Sequence, residues 1–95
     1  MDELDLEHTL LQALTETYPG DKRAPGLVSS WLDARNQYYT SITRYPHPDG
    51  AKRVMCSGLG KDMTEARAVA TREWLRTNPS GMSTTTRARL ERLVR

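Results

Sequence analysis

The chain has 95 residues, 37% of them hydrophobic and 27% charged, with a net charge of +2 and a mean hydropathy of -0.69. That length buries one core and excludes two independent domains, while the periodic recurrence of apolar residues and an ordinary charged fraction exclude a disordered polyelectrolyte. No apolar run approaches the roughly 18 residues of a membrane span, and the acidic start Met1-Asp2-Glu3-Leu4-Asp5 lacks the positive charge of a signal peptide, so a cytoplasmic protein with no membrane partner is expected.

From Leu4 to Tyr18, the residues Leu4, Leu6, Leu10, Leu11, Leu14 and Tyr18 fall on one side of a 3.6-residue helix, leaving His8, Gln12 and Glu16 outside. Its early acids suit the positive end of the helix dipole. Pro19-Gly20 ends it, and Gly20 to Gly26 reads as a loop. Leu27-Trp31 and Val28-Leu32 then show four-residue spacing, which predicts a short second helix over 27–36, with a strand as the alternative in so short a window.

Gln37 to Tyr45, dense in Tyr, Thr and Ile, has the composition of a strand. Pro46-His47-Pro48-Asp49-Gly50 supplies turn chemistry, and Lys52 to Ser57 pairs back as the second strand of a hairpin. Strict alternation turns Tyr38, Ile42, Val54 and Cys56 toward the core and puts Tyr39, Thr43 and Tyr45 on the other face. Gly58-Leu59-Gly60 is expected to break the strand, with a glycine in a backbone conformation closed to other residues. Asp62 and Glu65 have capping-box spacing, and a helix runs from Met63 to about Thr77 with the stripe Met63, Ala66, Val69, Ala70 and Trp74. Asn78-Pro79 stops it. Residues 80–86 read as a Ser/Thr-rich linker, and residues 87–95 as a short basic helix that needs a surface to dock on. The expected fold is therefore α+β: an N-terminal helix, a short second helix, a β-hairpin packed by a long helix, and a basic C-terminal extension, with residues 1–79 as one domain and 80–95 as linker and tail.

Charge is unevenly distributed along the chain. Residues 1–21 carry six acids and no Lys or Arg, whereas residues 44–95 carry eleven bases against five acids. The basic half suits a polyanion, unless the acidic first helix folds back and neutralises part of it. Candidate phosphate contacts are Arg44, Arg53, Lys61, Arg67, Arg72 and Arg76. Tyr39, Tyr45, Thr43, Arg44 and Arg53 mix rings and cations on one strand face, the composition of a stacking platform for unpaired bases. Ordinary cross-strand tyrosine pairing has the same composition.

The stretch Gly58 to Thr71, GLGKDMTEARAVAT, resembles the junction of last strand and last helix in the double-stranded-RNA-binding domain, which reads Gly-x-Gly-x-Ser and then Lys-Lys-x-Ala-Lys-x-x-Ala-Ala. The resemblance sets Gly58, Gly60, Ala66 and Ala70 on that family's structural positions and Arg67 on the third of its lysines. It departs in three places: Asp62 replaces the capping Ser, Met63 and Thr64 replace the two leading lysines, and two clear strands stand where the family has three. The resemblance implies hairpin-to-helix packing more than RNA as a partner, because the two missing lysines belong to the cluster with which that family bridges the RNA major groove.

Catalytic and metal chemistry find no foothold in these spacings. Lys61 follows Gly60, but Asp62 and Met55 occupy positions where a phosphate-binding P-loop needs Ser/Thr and Gly. His8, His47 and the single Cys56 give no zinc spacing, so no metal or other cofactor is expected, and the lone thiol reads as a small buried hydrophobe in a reducing compartment. His47-Pro48-Asp49 is similar to the tripeptide of J-domain co-chaperones, but its strand-side setting makes it a hairpin turn. Two non-enzymatic functions follow. One is a nucleic-acid or nucleoprotein-binding module. The other is a small inhibitor or adaptor that binds a host protein through Trp31, Tyr39 or Tyr45, similar in size and layout to bacteriophage accessory proteins. A homodimer through the hairpin edge is compatible with both.

Overall fold

The structure is a computed structural model that describes residues 3–21, 23–45 and 53–95. Its order is α1 (Glu3–Thr17), β1 (Arg23–Leu32), a 3₁₀ turn (Asp33–Arg35), β2 (Gln37–Tyr45), β3 (Arg53–Gly60), α2 (Met63–Arg76) and α3 (Thr84–Leu93). The class is α+β, with a three-stranded antiparallel sheet in the order β1-β2-β3. The hairpin turn at 46–50 and Lys52 lie outside the described residues.

One expectation fails at residues 27–36, which form most of strand β1 and the 3₁₀ turn instead of a helix. The reason is geometric: residues four apart share a face in a strand as well as in a helix. Leu27 pairs with Ile42 and joins the core, whereas Val28, beside Ser41, is 45% exposed. Asn36, at a φ of 51°, reverses the chain into β2. Asparagine tolerates this left-handed conformation better than most residues.

Leu6, Leu10, Ala13 and Leu14 of α1, Ile42 of β2, Ala68, Ala70 and Trp74 of α2, and Leu90 and Val94 at the C-terminal end form one core on one side of the sheet. Trp74 is buried, and its indole N–H donates to the Tyr18 hydroxyl at 3.1 Å. Two of the four predicted core positions on the hairpin behave differently. Tyr38 is half-buried at the end of the sheet, its ring edge-on to Trp31 at 4.9 Å. Val54 is 56% exposed, because the pairing slips by one residue between Ile42↔Cys56 and Thr43↔Val54. The extra residue, Met55, packs against the core beside Cys56. A bulge breaks the two-residue alternation on which the expectation rested.

β3 does not break at Gly58 but continues to Gly60. Neither glycine has a positive φ. They are small for a different reason: a Cβ on Gly58 would lie 2.5 Å from the Ala70 nitrogen and 2.6 Å from the Ala66 oxygen, and one on Gly60 would lie 2.5 Å from the Ala66 nitrogen. The backbone of α2 thus rests directly on that of β3. Asp62 caps the helix, accepting from the Glu65 N–H at 2.8 Å.

α3 begins three residues before the expected start, because Ser83 serves as its N-cap and accepts from the Thr86 N–H at 3.1 Å. Thr84–Thr86, expected as linker, are its first turn. The helix docks on α1 through Leu90 and a polar clasp. Glu16 accepts from the Ser83 N–H at 2.9 Å and from the Thr86 hydroxyl at 3.0 Å. These bonds, the backbone N–H of Ser83 first, hold the Glu16 carboxyl below its ordinary pKa.

Candidate nucleic-acid interface

The six predicted cations do not form one stripe. Arg44, expected on the outer sheet face, lies on the helix side, where its guanidinium sits 4.1 Å from the centre of the Tyr18 ring and 2.6 Å from Asp21 Oδ1. The hydrogen-bonded Asp21 carboxylate raises the pKa of Arg44 against the opposing effect of burial. Arg67, expected as a phosphate contact, is 8% exposed and donates to Glu7 of α1 at 3.3 Å. Both arginines are therefore struts. Each joins the acidic N-terminal segment to the basic half, so the fold-back suggested by the charge pattern is real for these two pairs. Arg53 is exposed at the start of β3, opposite Arg44, and Lys61 is exposed in the bend before α2.

Arg72 and Arg76 are brought together with cations from the C-terminal segment. An open groove of about 380 Å³ runs between Arg72, Leu75 and Arg76 of α2 and Arg87, Glu91, Val94 and Arg95 of the C-terminal segment. Arg72 donates to the Val94 carbonyl at 2.6 Å. A cation there also meets the negative end of the α3 dipole, so the contact fixes the angle between the helices. The acceptor is a neutral carbonyl, so this contact does not cancel the charge of Arg72 as an ion pair would. Arg76 meets Glu73 at 3.1 Å, and Arg87 meets Glu91 at 3.0 Å, both at the surface. Exposed pairs of this kind contribute little and exchange readily. Four guanidinium groups and one carboxylate thus line an apolar floor of Leu75 and Val94. Arginine's planar fork is suited to phosphate oxygens.

The predicted protein-binding residues separate as well. Tyr39 and Tyr45 share the outer face of the sheet with Val28, Val54, Ser57 and Leu59. Arg23 lies 5.3 Å from the centre of the Tyr45 ring. Trp31 is 43% exposed but belongs by register to the helix side, at the sheet's far end. Arg87 and Arg95 gain their place only from the docking of α3. The sequence signal for that docking was the Leu90, Leu93 and Val94 stripe, which does not say where the helix rests.

Among the described residues no group of three or more His, Cys, Asp and Glu side chains converges on a metal position, and no helix is long and apolar enough to cross a membrane. Burial, reinforced by the charge of Glu73, pushes the Cys56 thiol above its ordinary pKa, which makes it a poor nucleophile. Comparison of the chain with protein-family models, curated proteins and solved structures gives no match.

Proposed function

We propose that the chain is a non-catalytic nucleic-acid-binding module that holds a phosphate backbone in the groove between α2 and α3. The observation that carries this reading is the convergence of Arg72, Arg76, Arg87 and Arg95 on one open groove with a single lining carboxylate, Glu91. A polyanion gains there both Coulomb attraction and counterion release. β1 supplies the third strand that the sequence pattern lacked, so the strand count agrees with what the resemblance to the double-stranded-RNA-binding domain implies. The contact residues differ from that family's pattern: Met63 and Thr64 stand in place of two lysines, and Arg67 is occupied by Glu7.

The test is a set of anisotropy titrations of labelled duplex RNA, duplex DNA and single strands at low salt, with the parent and an Arg72→Gln/Arg76→Gln variant. Loss of two charge-assisted contacts weakens binding about tenfold or more. Absence of binding by the parent, or equal binding by the variant, overturns the proposal. A second reading, a protein-binding adaptor, draws on the exposed Val28 and Val54 of the open sheet face. It predicts a protein partner retained in pull-downs after nuclease treatment and lost on Val54→Asp.

A further inference from the structure

The outer face of the sheet carries a second depression, away from the arginine groove. Leu32 at the end of β1, Arg35 of the 3₁₀ turn, Tyr39 of β2 and Ser57, Gly58 and Leu59 of β3 line an open volume of about 560 Å³ that reaches round the edge strand β3 to Val69 of α2 on the sheet's other side. By register, Leu59 lies directly across from Tyr39, and Ser57 is the next outward residue of β3. The half-buried ring of Tyr39 therefore lies beside an aliphatic wall and an exposed hydroxyl. Arg35, exposed on its turn, is the one charged side chain of the lining. Among the described residues, the only other charge that the register sets on this face is Arg23, also a cation. The surface thus offers a flat ring, a hydrogen-bonding hydroxyl and positive charge, with no carboxylate in the lining.

We infer that this depression takes one unpaired nucleobase of a single-stranded nucleic acid, stacked on Tyr39 with its phosphate at Arg35. The inference rests on the nucleic-acid reading and deepens it, because it adds a base-contacting site to a backbone-holding groove. Charge complementarity selects this occupant. A phosphate matches Arg35, whereas a purely apolar peptide leaves that cation without a counterpart. The volume falls within the range of small-molecule sites and exceeds that of a single base, so the adjoining sugar fits as well. Stacking on an aromatic ring is tolerant of base identity, so no strong sequence preference follows.

The experiment compares a single-stranded 12-mer with an abasic 12-mer that keeps every phosphate but no base. Tyr39→Ala lowers affinity for the base-containing strand at least about fivefold, as expected for one lost stacking contact. It leaves the abasic strand unchanged, and Tyr39→Phe, which keeps the ring, restores the parent's affinity. Arg35→Gln, on an exposed turn, reads the site independently of any folding defect in Tyr39→Ala: it flattens the salt dependence on single strands by about 0.7. The inference is overturned by an equal loss on both strands in Tyr39→Ala, by Tyr39→Phe behaving like Ala, or by an unchanged salt slope in Arg35→Gln. If the parent binds strands through the groove but is indifferent to Tyr39 and Arg35, this site falls and the groove stands. If the parent binds no strand, both fall. Loss of a nuclease-resistant protein partner in Tyr39→Ala, with strand affinity intact, assigns the face to protein instead.

Discussion

Replacing Gly58 by alanine tests how α2 is seated on the sheet. The added Cβ would meet three atoms of α2: the Ala70 nitrogen at 2.5 Å, the Ala66 oxygen at 2.6 Å and the Val69 Cβ at 2.9 Å. Two of the three are backbone, so no rotamer change relieves the overlap, and either the helix lifts or β3 bends. Lifting α2 loosens Ala70 and Trp74, both fully or nearly fully buried. Overpacking of a close-packed core costs about 1–3 kcal/mol, and a contact with rigid backbone on one side belongs at the upper end, about 3 kcal/mol. For a domain of this size that is a fall in melting temperature of roughly 12–24 °C. The assay is thermal and urea unfolding followed by circular dichroism, with Gly20→Ala as the control, since a Cβ at Gly20 would meet nothing within 4 Å. A Gly58→Ala protein that melts within about 2 °C of the parent refutes the seating.

Trp74→Ala removes the largest fully buried side chain together with its hydrogen bond to Tyr18, and should cost about 3–5 kcal/mol in urea unfolding. A parent-like midpoint would mean that α2 does not pack on Ile42 and α1. Acidification should release α3 from α1. The Glu16 carboxyl has a folded pKa below its unfolded value, so its stabilisation is complete above the ordinary carboxylate range and is lost as pH falls through the lowered folded value. The Ser83 amide resonance should therefore titrate with a midpoint below the ordinary value for Glu and lose that titration in Glu16→Gln. A midpoint at or above the ordinary value contradicts the clasp.

The regular elements were legible wherever one physical signal acted alone. α1 followed from its leucine spacing, β2 from its Tyr/Thr/Ile density, and the start of α2 from Asp62 and Glu65. β1 is ambiguous in the sequence because Leu27-Trp31 and Val28-Leu32 satisfy helix and strand alike, and the partners that decide between them, Ile42 and Tyr38, are remote in sequence. Val54 was misplaced by a bulge that depends on pairing and not on local composition. The glycines at 58 and 60 look like turn residues in the sequence, whereas their smallness serves the contact with α2. At the candidate site, residue type proved a weaker guide than burial. Arg44 and Arg67 look like Arg72 and Arg76 in the sequence, yet Asp21 and Glu7 occupy the first two. Only tertiary structure separates the arginines that brace the fold from those that line the groove.

The claim that the α2–α3 groove holds a phosphate backbone is tested most directly by the salt dependence of binding. Each neutralised phosphate releases condensed counterions and adds about −0.9 to the slope of log affinity against log salt on duplex DNA, or about −0.7 on single strands. With Arg72, Arg76, Arg87 and Arg95 all engaged, the parent should show a slope of roughly −3 to −4 on duplex DNA, and Arg72→Gln/Arg76→Gln should flatten it by about two units. Arg76→Gln alone, which leaves the Arg72 bond to the Val94 carbonyl in place, should flatten the slope by about one unit without disturbing the angle between the helices. A parent slope near zero, or a slope unchanged in the double variant, would contradict the groove as the site of contact.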